Sequence, residues 1–124
     1  MKNHSPLLVS GTSNPGLAQK IAKLLNVSLV PTEFTVFPNQ ETRPRIKKSL
    51  KGKTVFILQS FSAPPDKTLI EFLLLTDATK NAQAKKIIGV IPWLGYSAQD
   101  KIFRPGEPLS SKLVATLIRA AGMN

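Results

Sequence analysis

The segment TVFILQSFSAPPDKTLIEFLLLTDATKNAQAKKIIGVIPW, residues 54–93, decides the fold class. It begins with a continuous apolar run, TVFILQS (54–60), and ends with another, KKIIGVIPW (85–93). Continuous apolar runs of this length are typical of parallel strands that are buried on both faces. After the prolines of APPD, residues 66–83 are predicted to form a helix that joins the two strands. The segment therefore predicts a parallel sheet in an α/β domain.

The predicted helix at 66–83 is apolar on most of its faces, through Leu69, Ile70, Phe72, Leu73 and Leu74. A helix that is apolar all round has to be covered on all sides. We therefore expect it to be deeply buried or covered by a partner, and we expect the chain to self-associate. Asp77 lies within this helix, where a buried hydrogen-bonding role is favoured over a catalytic one.

Toward the N-terminus, residues 7–9 predict a strand and residues 13–26 (SNPGLAQKIAKLLN) a helix. Asn14 or Ser13 can cap this helix and Pro15 suits its first turn. The apolar residues that recur at helical spacing are Leu17, Ile21 and Leu24. Residues 28–37 and 41–46 then read as two extended pieces on either side of the turn-like PNQ, and residues 50–53 as a glycine-containing turn.

Toward the C-terminus, residues 109–121 predict an amphipathic helix that ends at Gly122. The residues expected to face inward are Leu113, Val114, Leu117 and Ile118. The resulting order, β-α-β-β-β-α-β-α, predicts one α/β domain over residues 1–124. Its sheet is mostly parallel with helices on both faces, and an antiparallel excursion is expected around residues 28–46.

The composition narrows the classes of protein. The chain has 124 residues, is 42% hydrophobic and has no cysteine, which excludes disulfides, thiolate zinc sites and a cysteine nucleophile and fits a cytoplasmic location. The apolar run at 69–75 is far shorter than the roughly 20 residues that cross a bilayer. We expect neither a membrane partner nor a signal peptide. His4 is the only histidine, so a catalytic triad or a histidine metal site is not expected.

The chain is strongly basic, with 17 Lys and Arg against 7 Asp and Glu and a net charge of +10. Such a surface attracts polyanions, phosphate esters or an acidic partner. The lysines are scattered, and no basic stripe interleaved with aromatics is present. Most of them are interpreted as solvated, and nucleic acid is not the expected partner.

Three polar clusters follow predicted strands, where ligands collect in open α/β sheets. SGTSNPG (10–16) lacks both GxGxxG and the GK[ST] ending, so a plain strand-to-helix turn is favoured over a phosphate loop. FPNQE (37–41) offers a phenylalanine, two amides and a carboxylate that can bind a base, but a hairpin turn explains it equally well. The third cluster, GYSAQDKIFRPGEPLSSK (95–112), can place polar side chains on phosphates or on a metal-bound nucleotide, although a solvated loop is also consistent with it.

FPNQE and the stretch from ILQSFSAPPD through GYSAQDKIFRPGEP to LIRAAG resemble the N-terminal half of ribose-phosphate pyrophosphokinase, also called phosphoribosyl pyrophosphate synthetase. The resemblance runs from about residue 10 to residue 122. It implies a type I phosphoribosyltransferase fold, a homo-oligomer and a role in nucleotide biosynthesis. It also implies transfer of the β,γ-diphosphoryl group of ATP to the 1-hydroxyl of ribose 5-phosphate, with Mg²⁺.

The resemblance also implies which residues contact ATP. In the first loop they are Phe37, Asn39, Gln40 and Glu41, and the phenylalanine stacks on adenine bound by a neighbouring subunit. In the second loop they are Ala98, Gln99, Asp100, Lys101 and Arg104. The family has aspartate and glycine where this chain has Asn39 and Gln40, and an arginine where it has Ala98. Either Lys101 or Arg104 can take the place of that cation.

No catalytic residue and no metal ligand is assigned in this chain. The family's metal-binding histidine, catalytic loop and ribose-phosphate motif have no counterpart up to Asn124. The expected function is thus an ATP-contacting and subunit-assembly domain that is inactive alone. Two alternatives stay open: a non-catalytic regulatory or assembly homologue that docks on a full-length synthetase, and a basic nucleic-acid-binding module.

Overall fold

The computed structural model describes residues 5–124, so His4 lies outside the described residues. The chain forms six strands and three helices over this range. In chain order they are β1 (Leu7–Ser10), α1 (Pro15–Leu25), β2 (Ser28–Leu29), β3 (Thr32–Val36), β4 (Thr42–Ile46), β5 (Thr54–Leu58), α2 (Pro65–Asn81), β6 (Lys86–Val90) and α3 (Ser110–Ala121).

The main sheet has four parallel strands in the order β2-β1-β5-β6, which confirms the parallel sheet predicted from residues 54–93. Strands β3 and β4 form a separate antiparallel hairpin. The excursion therefore begins at Thr32, and its predicted start at residue 28 was wrong, because Ser28 and Leu29 pair in parallel with β1. Pro31, which has no N–H to give to a ladder, lies between the two pairings.

Helices cover both faces of the sheet, as predicted. Because side chains alternate along a strand, Val9 and Ile57 enter the larger core beside α2, whereas Leu8 and Leu58 pack with Ala18 of α1 on the opposite face. The hairpin lies against α2 and adds Phe34 and Ile46 to the larger core. The molecule is a three-layer α/β domain with a hairpin on one outer layer.

Helix α2 is less buried than its composition predicts. Leu69, Phe72 and Leu75 are buried, but Ile70 is 51% and Leu74 is 37% exposed. The expectation for Asp77 was wrong: its side chain is exposed and accepts a hydrogen bond from Asn81 Nδ2 at 3.3 Å. The buried carboxylate of this helix belongs to Glu71, which is 1% exposed.

The ends of α1 and α3 follow the predicted capping. Asn14 Oδ1 accepts a hydrogen bond from Leu17 N at 3.0 Å, and Gly122 ends α3 with a φ of +123°. The inward placement of Leu113 and Leu117 was wrong, since both are exposed, and Leu24, which recurs at helical spacing on α1, is exposed as well. Successive residues lie about 100° apart around a helix, so burial of Val114 directs Leu113 away from the core. Within residues 5–124, no helix is long and apolar enough to cross a membrane.

Candidate functional site

The carboxyl ends of β1, β5 and β6 meet at one edge of the sheet. The chain leaves β1 through α1 toward β2 on one side, whereas β5 and β6 lie on its other side. Ligands of open α/β sheets bind in the crevice at such a reversal of strand order. The loops that follow β1, β5 and β6 are therefore candidate positions for a ligand site.

A buried polar network joins two of these loops. The Glu71 carboxylate accepts hydrogen bonds from Thr12 N at 2.6 Å and from Thr12 Oγ1 at 2.8 Å. It also accepts one from Gln59 Nε2 at 3.1 Å, and Gln59 is fully buried. No cation pairs with Glu71 among residues 5–124. Three donors therefore satisfy this carboxylate, which fixes the loop after β1 onto α2.

The same network accounts for the glycine-containing stretch at residues 10–16. Gln59 Oε1 accepts hydrogen bonds from Ser13 N at 3.1 Å and Ser13 Oγ at 2.7 Å. A Cβ on Gly11 would lie 2.1 Å from Gln59 Oε1, so only glycine fits there without a shift. Because the backbone donors of Thr12 and Ser13 already have partners, the stretch is a braced strand-to-helix turn rather than a phosphate cradle.

FPNQE forms the tip of the β3–β4 hairpin. Gln40 N donates to Phe37 O and Phe37 N to Glu41 O, each at 2.8 Å. Asn39 Oδ1 accepts from Glu41 N at 3.1 Å, and Asn39 Nδ2 donates to the Glu41 carboxylate. Gln40 has a φ of +75°, in the left-handed region. The Arg43 guanidinium lies 5.1 Å from the centre of the Phe37 ring. The tip is therefore a closed turn with a cation on its aromatic ring.

A groove of about 570 Å³ runs between this tip and the first half of α2. Its volume falls within the range of small-molecule sites, roughly 300–1,000 Å³. Gln40 and Glu41 line it, and its three apolar lining residues, Val36, Ile70 and Leu74, are exposed. The remaining lining residues are Thr42, Asp66 and Lys67.

The loop between β6 and α3 carries the other five residues predicted to contact ATP. Tyr96 at its start has a φ of +67°, which a bulky side chain rarely adopts. Gln99 Nε2 donates to Lys101 O at 2.8 Å, and Gln99 O accepts from Ser111 N at 3.1 Å. Gln99 therefore links two positions within the loop and also connects the loop to the start of α3. Ala98 presents only a methyl group.

The second half of this loop is also braced. Glu107 Oε1 accepts hydrogen bonds from Phe103 N at 3.1 Å and from Arg104 N at 2.8 Å. Glu107 N donates in return to Arg104 O at 3.2 Å. Lys101 Nζ lies 5.3 Å from the centre of the Phe103 ring. The loop is exposed but has a defined conformation.

The two predicted ATP loops belong to different elements of the fold and do not bond to one another. The tip at 37–41 lies against α2, and the loop at 98–104 lies between β6 and α3. No hydrogen bond, ion pair or ring contact joins them in the described part of the chain. The sequence reasoning missed the bracing roles of Glu71 and Glu107. Its one available signal for Glu71 was a carboxylate inside an otherwise apolar run.

The metal implied by the resemblance does not find a site in these residues. No group of three or more His, Cys, Asp and Glu within residues 5–124 is arranged to hold a metal ion. Magnesium prefers carboxylate and phosphate oxygens together with water. The described residues do not supply such a set of ligands.

Comparison with known proteins identifies the class first. A purine phosphoribosyltransferase from Pyrococcus horikoshii Ot3 matches 72% of this chain and 63% of its own with a TM-score of 0.52 at 18% identity, which shows the fold. Phosphoribosylpyrophosphate synthetase from Mycobacterium smegmatis matches 96% of this chain and 40% of its own, with a TM-score of 0.91 and 38% identity. The domain thus has the phosphoribosyltransferase-like fold.

The family follows from sequence. The model of the N-terminal domain of ribose phosphate pyrophosphokinase matches residues 7–122, and the chain belongs to this family. It is 42% identical to ribose-phosphate pyrophosphokinase of Clostridium perfringens over 98% of this chain and 39% of that protein. It is 43% identical to ribose-phosphate pyrophosphokinase of Caldanaerobacter subterraneus over 93% of this chain and 36% of that protein. The chain therefore spans less than half the length of these relatives.

Proposed function

We propose that this chain is the ATP-contacting and subunit-assembly domain of a ribose-phosphate pyrophosphokinase, acting in nucleotide biosynthesis in the cytoplasm. The reaction of the whole protein would be transfer of the β,γ-diphosphoryl group of ATP to ribose 5-phosphate. The observation that carries the proposal is the placement of two braced, exposed loops at separate positions on a domain of this family. Each loop offers a different part of a nucleotide site.

The hairpin tip is suited to the base. Phe37 and the Arg43 guanidinium 5.1 Å from its ring form an aromatic and cationic stack that can extend over adenine. Asn39 and Glu41 are bonded to one another, so the turn is fixed before any ligand arrives. A fixed turn lowers the entropy cost of binding.

The loop at 98–104 is suited to the phosphates. Lys101 and Arg104 supply cations, and Gln99 holds the loop to the start of α3. The resemblance places the phenylalanine of the tip on adenine bound by a neighbouring subunit, so the site would combine this loop with the hairpin tip of a second chain. In that arrangement, ATP binding would be linked to assembly of a homo-oligomer.

Nuclear magnetic resonance tests the proposal on the 124-residue protein. Titration with ATP should shift the amide signals of residues 37–41 and 98–104, and Phe37→Ala should remove the shifts at the tip while leaving the fold intact. The matched control is Leu24→Ala, which truncates an 85% exposed apolar side chain on α1. Phe34, the other phenylalanine of the hairpin, is unsuitable as a control because it packs against the core. ATP shifts confined to other residues, or steep salt-dependent binding of duplex DNA in their place, would refute the proposal.

A second candidate function rests on Ala98. The resemblance places an arginine there, and an alanine removes one charge-assisted phosphate contact of roughly 1.5–3 kcal/mol. This favours a non-catalytic regulatory or assembly homologue that docks on a full-length synthetase. Stable co-elution with such a synthetase and a change in its rate, without measurable ATP binding by this chain, would support that function over the first.

A further inference from the structure

The turn at residues 104–107 is built to hold one shape. Glu107 N donates to Arg104 O at 3.2 Å, and Gly106 has a φ of +93°. Proline at the second position and a positive φ at the third are the features of a type II turn. Pro105 and Gly106 favour this shape because one fixes a negative φ and the other accepts a positive φ without strain.

The Glu107 carboxylate closes the turn from the other side. Its Oε1 accepts hydrogen bonds from Phe103 N at 3.1 Å and from Arg104 N at 2.8 Å. Carboxylates that accept from backbone N–H groups make strong, charge-assisted bonds. Glu107 therefore binds the backbone N–H of Arg104 and does not form an ion pair with the Arg104 side chain.

Arg104 is left with an unengaged guanidinium. In the part of the chain that the structure describes, it has no ion pair and no side-chain hydrogen bond. The nearby cation, Lys101, lies over the Phe103 ring. The two cations are balanced by Asp100 and Glu107, so net charge alone gives this loop no attraction for a phosphate. Any affinity has to come from where the donors are held.

We propose that Arg104 is the phosphate-contacting cation of this loop and that Glu107 is its positioning residue. Together they take the place of the arginine that the resemblance implies at position 98, where this chain has Ala98. The inference rests on the proposed function, because it takes the phosphates of ATP as the ligand. Glu107 acts only through the backbone of Phe103 and Arg104, and it makes no contact with ATP itself.

Calorimetry with ATP tests the pair. Arg104→Ala should weaken binding roughly tenfold, as expected for the loss of one charge-assisted contact. Glu107→Ala should also weaken it, because the turn loosens, whereas Glu107→Gln should bind nearly as the wild type does, since the amide oxygen accepts the same two bonds. The double variant Arg104→Ala/Glu107→Ala should bind no more weakly than Arg104→Ala alone, because coupled residues are not additive.

The sign of the Glu107 effect separates positioning from charge. If the carboxylate acted only by its charge, its removal beside a triphosphate would tighten binding in both the alanine and the glutamine variant. Lys23→Ala on α1 and Asp77→Ala on α2 remove the same charges from exposed positions outside the loop and should leave the affinity unchanged. Thermal unfolding of each variant checks that the fold is retained.

Each result bears on one claim. Wild-type protein that does not bind ATP would overturn the proposed function and this inference together. Wild-type binding with an Arg104→Ala effect below twofold would overturn this inference alone. Additive single effects in the double variant, or a glutamine variant as weak as the alanine variant, would overturn the positioning role of Glu107.

Discussion

The Glu71 carboxylate holds Thr12 by both its backbone N–H and its hydroxyl, although the two residues are 59 positions apart in sequence. Glu71 is 1% exposed and lies on α2, whereas Thr12 lies in the loop after β1. The contact joins the first strand of the sheet to the helix that follows β5. Through Gln59 it also holds the loop after β5, so it braces the carboxyl ends of two neighbouring strands.

Loss of this contact should be costly. Glu71→Ala leaves the Thr12 and Gln59 donors without their buried partner, and we expect the free energy of unfolding to fall by about 3 kcal/mol. Glu71→Gln keeps one acceptor oxygen and should cost about 1 kcal/mol. Urea unfolding measures both, with the exposed Asp77→Ala of the same helix as the control. Equal values for Glu71→Ala and Asp77→Ala would contradict the structural role.

The left-handed backbone at Gln40 makes a second stability prediction. A non-glycine residue in this conformation costs roughly 1–2 kcal/mol. Glycine removes this cost, but its larger backbone entropy in the unfolded state offsets part of the stabilisation. Gln40→Gly should therefore stabilise the protein by about 0.5 kcal/mol, and Gln40→Val should destabilise it by about 1 kcal/mol. Thermal unfolding decides; a destabilised glycine variant would show that the Gln40 side chain matters more than its φ.

The exposed apolar residues beside the hairpin predict self-association. Ile70 on α2 is 51% exposed and lines the groove together with Val36 and Leu74. We expect light scattering at moderate salt to give a mass above that of one chain, and Ile70→Asp to return it to the monomer value. Leu24→Asp, at the more exposed α1 position, should leave the mass unchanged. A wild-type monomer at high protein concentration would rule this association out.

The isolated 124-residue polypeptide is expected to have no pyrophosphokinase activity with ATP and ribose 5-phosphate. The relatives that carry the name are more than twice as long, since the chain covers 39% of the C. perfringens protein. Phosphoryl transfer depends on the positioning of both substrates and on charge neutralisation. The measurement is magnesium-dependent AMP formation; activity that Lys101→Ala abolishes would refute the expectation.

The sequence predicted the framework because its signals are local. Continuous apolar runs identified β5 and β6, and the capping residues Asn14 and Gly122 identified two helix ends. The errors concern which apolar residues are covered. Leu24 and Leu113 lie on the predicted apolar faces but are exposed. The periodicity of one helix does not indicate how much of its apolar face a neighbouring element covers.

The polar architecture was less accessible to prediction. Asp77 and Glu71 are both acids in an apolar helix, and only a distant partner, Thr12, decides which one is buried. The bracing of Arg104 by Glu107 is local but has no common signature beyond the Pro-Gly pair. The contacts of both loops with ATP stay predictions.

The proposed sharing of one nucleotide site between the hairpin tip of one chain and the loop after β6 of another has a consequence for regulation by mass action. A nucleotide bound in the proposed way would bridge two copies of the domain, so its binding constant would include the free energy of their association. Dilution would then weaken nucleotide binding without any change in the site, and nucleotide would in turn raise the population of the assembled form. For such a protein, the cellular concentration of the protein would itself affect how much nucleotide is bound.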